Sequence, residues 1–215
     1  YDDWYDVQGR VWGMYDGDLP IKQGDPVLRQ MFKSMAIGLG YMMSASKFAL
    51  VTGKSAQEAQ RIWALFRSKN PKIVKFWNLL DKSIKASSGG EFRVMMPSGR
   101  ALLYRDVRNG SDGTSALLMR NGVLMRLRVW PGMLAENLTQ AFSRDIFMDR
   151  VLAINDAGYD VALRVHDEVV VEVDADKAEE AKEHICQIMK TSPAWCQDLP
   201  LAAEAKFGKT YADAK

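Results

Sequence analysis

The run Arg164-Val165-His166-Asp167-Glu168 lies between two valine-rich stretches, Tyr159-Asp160-Val161-Ala162-Leu163 and Val169-Val170-Val171-Glu172-Val173. An imidazole beside two carboxylates is a set of groups suited to metal or proton chemistry. Carboxylates in particular suit a hard divalent cation such as Mg²⁺, which takes oxygen ligands. Both flanks are rich in β-branched residues and free of proline and glycine, which predicts two strands. The acids therefore fall at or beside the turn of a hairpin, held by rigid elements. An isolated His-Asp-Glu is also what a solvated turn looks like, so its weight depends on a second feature upstream.

That feature is a ladder in which Arg29, Lys33, Ile37 and Tyr41 recur at every fourth position. Asp25-Pro26 predicts the start of the helix that carries it, with Asp as N-cap and Pro at the first helical position. Residues four apart share a face, and Leu28, Met31, Phe32, Met35 and Leu39 fill the opposite side as a core stripe. A guanidinium can grip phosphate through a bidentate fork, while an ammonium acts as a point charge. An aromatic two turns beyond the Lys can stack on a base or check its shape. The order of the rungs is that of a nucleoside triphosphate: phosphates, sugar, base. Gly38 and Gly40 each weaken the helix by ~1 kcal/mol relative to Ala and imply close approach or bending there.

On these residues the chain resembles family A DNA polymerases. Arg29-x3-Lys33-x4-Gly38-x2-Tyr41 is similar to motif B of their fingers helix, and Val165-His166-Asp167-Glu168 to motif C of the palm hairpin. Glu136-Asn137-Leu138-Thr139-Gln140-Ala141-Phe142-Ser143-Arg144-Asp145 resembles the palm helix of phage members, which touches the minor groove of the primer–template. Pro97-Ser98-Gly99-Arg100 and the Phe207-Gly208-Lys209 region fit as well, so the resemblance covers nearly the whole chain.

The resemblance implies a role for each matching residue. Arg29 and Lys33 bind the triphosphate of an incoming dNTP, with Ile37 and Tyr41 completing the nucleotide site and Tyr41 at the nascent base pair. Asp167 is a catalytic Mg²⁺ ligand with Glu168 as an auxiliary acid, and Lys33 joins these two in the catalytic set. His166 lies near the primer end. Gln140, with Glu136 or Asn137, reads duplex shape through minor-groove acceptors, which are nearly degenerate in sequence; Arg100 is a further DNA contact. The implied function is template-directed DNA synthesis, in which two Mg²⁺ ions assist nucleotidyl transfer from a dNTP to a primer 3′-hydroxyl.

The sequence departs from the family at four points. Ile37 stands where most members carry an aromatic beside the sugar, Ala36 where asparagine is usual, and Met42 where glycine commonly follows the tyrosine. These bear on substrate selectivity and leave the phosphate grip intact. The fourth is larger: no Asp-Tyr-Ser-x-x-Glu stretch, the motif A that supplies a second metal-binding aspartate, precedes Asp25. The opening Tyr1-Asp2-Asp3-Trp4-Tyr5-Asp6-Val7 reads as the start of the helix after motif A, its acids as surface charge at a helix start. The expectation is a polymerase part, truncated or encoded in two pieces with truncation favoured by the missing initiator Met, and inactive alone. Its partners are then primer–template DNA, dNTPs and the N-terminal remainder of the polymerase.

Composition constrains less. The 215 residues carry a net charge of +2, so nucleic-acid binding has to come from clustering. Lys69-Lys72-Lys75, Arg93-Arg100-Arg105-Arg108 and Arg120-Arg126-Arg128 are such clusters, each readable as a solvated face and together as a phosphate-contacting surface. A hydrophobic fraction of 47% supports a core. No apolar stretch is long enough to span a bilayer and no signal peptide is evident. Two cysteines, Cys186 and Cys196, are too few for a disulfide scaffold or a zinc site and fit a reducing cytoplasm, bacterial or in a phage-infected host cell.

The elements that must position these residues read as follows. Helices are predicted at about 2–15, 26–51, 55–67 and 70–87, with Thr52-Gly53 and Asn70-Pro71 as breaks. Trp63, Phe66, Phe76, Trp77 and Leu80 recur at helical spacing as core. A hairpin at about 91–105 turns on Pro97-Ser98-Gly99, residues 105–119 form a loop, and a long helix at 132–157 precedes the acidic hairpin. A helix over 175–191 follows, with His184 on its surface, and Leu199–Phe207 pairs as a last strand. The fold class is α+β: helical fingers over 1–90 joined to the C-terminal part of an antiparallel palm sheet over 91–215. A single-subunit RNA polymerase, which shares the Arg/Lys/Tyr ladder, and a non-catalytic nucleic-acid-binding module are the competing functions. Glu168 directly after Asp167, and the Gln140 helix, weigh against the first. Intact acids at 167 and 168 weigh against the second.

Overall fold

The chain's helices begin where its capping residues lie, in a computed structural model that describes residues 3–214. The first helix, α1 (Trp4–Val11), is capped by Asp3, whose carboxylate accepts from the Tyr5 N–H. It is shorter than the predicted 2–15, because Gly13 at φ 67° turns the chain away; Asp2 lies outside the described residues. After the single turn α2 (Ile21–Gly24), Asp25 caps α3 (Pro26–Ser34) by accepting from the Leu28 N–H at 2.8 Å. Ser55 caps α5 (Ala56–Lys69): its Oγ accepts from the Glu58 N–H at 3.2 Å and donates to Glu58 Oε2 at 3.3 Å. Asn70-Pro71 opens α6 (Pro71–Ala86), as expected.

The predicted helix over 26–51 is not continuous. Met35–Leu39 form a π turn, and residues 40–44 are non-helical apart from Gly40 before α4 (Ala45–Thr52) begins. Gly38 explains part of this: a Cβ there would come within 2.7 Å of the Met43 side chain, so the chain folds back on itself more tightly than a straight helix allows.

Two compact units share the chain. The first comprises the described residues up to Phe92 together with Leu103–Asn137. Its core packs Ile21, Phe32, Met35, Leu39, Phe48, Ile62, Phe66, Trp77 and Ile84, with Trp12 edge-on to both Phe32 and Phe66. Phe66, Trp77 and Leu80 are buried as expected, whereas Phe76 is exposed, because its neighbour Trp77 takes the inward position on α6.

The predicted loop at 105–119 is instead the centre of a sheet. Strands β1 (Phe92–Met95), β2 (Ala101–Gly110), β3 (Gly113–Arg120) and β4 (Val123–Arg128) lie side by side in that order, with antiparallel β2–β3 and β3–β4 pairs. The glycine-rich Asn109–Gly113 stretch is only a tight hairpin turn, with Gly110 opposite Gly113. A bulge between Arg105 and Arg108 places Asp106 at φ 45°, where Arg108 and Arg126 both bond its carboxylate.

The second unit comprises Arg93–Leu102 and the described residues from Leu138 on. It holds most of helix α7 (Pro131–Asp156), the hairpin β5 (Asp160–Val165) and β6 (Glu168–Glu172), and α8 (Ala178–Lys190). Met96, Ala141, Asp145, Ile146, Val151, Ile154, Ala181 and Pro193 are among its buried residues. The turn at Pro97-Ser98-Gly99 forms as predicted, with Gly99 at φ 85° and the Met96 N–H donating to Arg100 O. Leu199–Phe207 is irregular and does not form the expected strand. His184 is exposed, as expected, and its Nδ1 lies 2.8 Å from the Tyr159 hydroxyl.

Candidate functional site

The cationic ladder starts as the spacing predicts and then changes direction. Arg29 and Lys33 lie on α3, one turn apart, with Met31 and Phe32 buried between them. The Arg29 guanidinium is already engaged: its Nε is 2.6 Å from Asp3 Oδ2, and its carbon lies 5.0 Å from the Tyr5 ring centroid. Asp3 thus does more than carry surface charge at a helix start. Lys33 is exposed and forms no ion pair among the described residues. Ile37 sits on the π turn with 53% of its surface open. Tyr41 follows in a turn, its N–H donating to Gly38 O, and so is not the fourth rung of one regular helix.

Sequence spacing does not reveal what holds that turn. Met42 is left-handed at φ 65°. Trp77 Nε1 donates to Gly40 O and Trp63 Nε1 to Met43 O, each at 3.2 Å. Gly132, in the first turn of α7, packs against the same backbone: a Cβ there would lie 2.2 Å from Tyr41 O. Only the Pro131-Gly132 pair at a helix start hinted at this approach.

Along α7 the candidate duplex contacts divide. Glu136 and Gln140 are exposed and one turn apart. Asn137 is committed to the Tyr104 hydroxyl, to which its Nδ2 donates at 2.9 Å. Burial pushes the Tyr104 phenol above its ordinary pKa, and the Asn137 bond partly opposes that. Arg100 is committed as well. Its Nε donates to Asp145 Oδ1 at 2.7 Å and its Nη2 to Ala141 O, while Ser98 Oγ bonds Asp145 Oδ2 at 2.6 Å. Asp145 is almost wholly buried, so this cluster ties the Pro97–Gly99 turn to α7.

The acidic hairpin is tighter than its sequence required. Val165 pairs with Glu168, leaving His166 and Asp167 as the two central residues of the turn, with His166 at φ 55°. Both are exposed, while Glu168 opens β6 and accepts a hydrogen bond from the Tyr211 hydroxyl at 3.0 Å. Ala162 is a bulge residue between the Val161 and Leu163 pairings. Among the described residues, no three His, Cys, Asp or Glu side chains form a group able to hold a metal ion. None of the described helices is long and apolar enough to cross a membrane.

Comparison with known proteins gives these surfaces a context. The sequence profile of DNA polymerase family A matches residues 16–213. A DNA polymerase of Bacillus phage SP02 is 32% identical over 212 residues, covering 86% of this chain and 32% of that protein. The thermostable DNA polymerase I of Thermus filiformis is 25% identical over 206 residues, covering 89% of this chain and 21% of that one. In fold, the chain is similar to the polymerase domain of Pol1 from M. smegmatis, solved with DNA primer–template and dNTP. The TM-score is 0.62 at 22% identity, over 97% of this chain and 34% of the other. The chain therefore spans about a third or less of the length of these relatives.

Proposed function

The chain belongs to DNA polymerase family A, and from that premise we propose that it forms the fingers (1–90) and C-terminal palm (91–215) of an enzyme extending a primer on a DNA template. The observation that carries this reading is that both chemical segments, Arg29 to Tyr41 and His166 to Glu168, lie inside the matched span. In this reading Lys33, solvent-open and without an ion pair among the described residues, meets the triphosphate first. Arg29 reaches it by exchanging the Asp3 carboxylate for phosphate. Tyr41 stands at the base pair being formed, and exposed Gln140 and Glu136 face the minor groove of the duplex.

Mg²⁺ needs only one or two protein carboxylates when water and phosphate oxygens complete its shell. Asp167, exposed at the tip of a two-residue turn, fits as one of them, and hard carboxylate oxygens are the donors this ion takes. Bound with nucleotide, the ion supplies charge neutralisation at the triphosphate and at the attacking oxygen. Glu168 stays at the edge of the strand, oriented by Tyr211, as the auxiliary acid. His166 flanks the primer end. In this reading the second bridging carboxylate is supplied by an N-terminal remainder of the polymerase, and the 215-residue chain is inactive without it.

Primer extension tests this. The complete polymerase incorporates dNTPs in Mg²⁺, Asp167→Ala abolishes incorporation, and Lys33→Ala weakens dNTP binding. Robust synthesis by the isolated chain refutes the inactivity; indifference to Asp167→Ala refutes the metal role. Comparing ribo- with deoxynucleotide incorporation separates this reading from a single-subunit RNA polymerase.

A further inference from the structure

Two indole N–H groups end on the backbone on either side of Tyr41: Trp77 on Gly40 O and Trp63 on Met43 O. Between them Met42 adopts a left-handed conformation, which a side-chain-bearing residue keeps only where its surroundings over-determine it. The two tryptophans come from different helices, α5 and α6, and one side chain touches both. The Arg67 guanidinium lies 3.6 Å from the Trp63 ring centroid and 5.1 Å from that of Trp77.

Arg67 is unusual among the arginines here. Its Nη1 is buried and finds no hydrogen-bond partner among the described residues. Burial also pushes its pKa down. A cation kept for solubility or for phosphate contact would extend to water. This one gives up solvation at one nitrogen for contact with two π faces, an arrangement that fixes the tilt of both rings. Ring tilt in turn sets where each indole N–H points, and both point at the turn bearing Tyr41.

We infer that Arg67, Trp63 and Trp77 form a latch that positions Tyr41, and through it sets discrimination between matched and mismatched nucleotides without touching either. The inference rests on the reading of Tyr41 as a neighbour of the nascent base pair. The phosphate grip is separate, because Arg29 and Lys33 lie on α3, before the π turn, and are held by α3's own packing. Loosening the latch therefore affects base-pair shape checking more than triphosphate affinity. All three latch members are positioning residues.

The test is single-nucleotide incorporation by the complete polymerase, with matched and mismatched dNTPs. Trp77→Phe keeps the ring and removes the N–H; Arg67→Met keeps the bulk and removes the charge. Losing one neutral hydrogen bond predicts that the matched-to-mismatched ratio of kcat/KM falls about fivefold in Trp77→Phe. Arg67→Met is expected to move it the same way. Lys33→Ala raises KM for both substrates and leaves the ratio in place, a contrast that general loosening of the fold does not produce. If Trp77→Phe fails to fold, Trp63→Phe and Arg67→Met carry the same measurement. A ratio within twofold of wild type in the folded latch variants overturns the latch. If Tyr41→Ala also leaves the ratio unchanged, the placement of Tyr41 falls with it; if Tyr41→Ala changes the ratio and the latch variants do not, only the latch falls.

Discussion

Gly132 approaches the Tyr41 carbonyl so closely that a methyl group on its Cα would sit 2.2 Å from the oxygen, with the Met42 Cβ at 2.9 Å. Both neighbours belong to backbone or its first side-chain atom, so no rotamer change relieves the clash. Within a helix, alanine is otherwise favoured over glycine by ~1 kcal/mol. Here overpacking outweighs that preference: Gly132→Ala destabilises the protein by about 1–3 kcal/mol. Urea denaturation measures the loss, and a stabilised variant contradicts the close approach.

The Asp3–Arg29 pair is part-exposed, with about a quarter of each side chain open, so its net worth is small. Exposed pairs contribute about 0.2–1 kcal/mol. Asp3→Asn releases the guanidinium and is expected to tighten dNTP binding by up to about fivefold on that scale. The gain shrinks as salt rises, because phosphate attraction is screened. Fluorescence titration at two ionic strengths checks this. Weaker binding on release means that Asp3 prepares Arg29 instead of competing for it.

Arg100 offers a choice between two roles. Its bonds to Asp145 and to Ala141 O predict that Arg100→Met lowers stability by about 1.5–3 kcal/mol, the cost of hydrogen bonds to a charged group. Thermal melting reads this directly. If melting is unchanged and DNA affinity drops, Arg100 serves the duplex and not the Pro97–Gly99 turn.

Two carboxylates make stability depend on acid pH. Asp6 is held below its ordinary value of 3.8, first by the Arg10 guanidinium and then by the Ile21 N–H. Asp106 is lowered as well, first by Arg108, with Arg126 adding to it. A depressed carboxylate favours the folded state above its unfolded pKa, and that contribution disappears as pH falls through the lower folded value. Stability is therefore flat from neutrality down to about pH 5 as far as these groups are concerned, and declines in more acid solution. Asp6→Asn flattens part of that decline in denaturation midpoints measured between neutral and acid pH.

The sequence makes elements legible where local chemistry is decisive. Asp25-Pro26 and Asn70-Pro71 mark true helix starts, and the valine runs mark a true hairpin with His166 and Asp167 at its tip. The β2–β4 sheet was hidden by its turn residues. Asn109–Gly113 has the composition of a loop, and Asn121-Gly122, both at positive φ, is a two-residue turn whose flanks are broken by arginines that pair across the sheet. Gly38 and Gly40 point to a bend in this helix, but its form as a π turn was not legible, because no side chain announces a shift of backbone hydrogen bonds. The latch was invisible because its donors and acceptors are far apart in sequence, and tryptophans at helical spacing read as ordinary core. Arg100 looked free for DNA because its buried partner, Asp145, is 45 residues away.

The wide turn at Met35–Leu39 works as a gear step: it uses an extra residue without a matching advance along the axis. Removing one residue there would restore ordinary winding and leave the turns downstream close to their present register, because the wide turn absorbs the extra residue. A single-codon deletion in this short window would thus keep the two ends of the ladder near their present aim, whereas the same deletion between Arg29 and Lys33, in regular α3, would rotate those two cations against each other by about 100°.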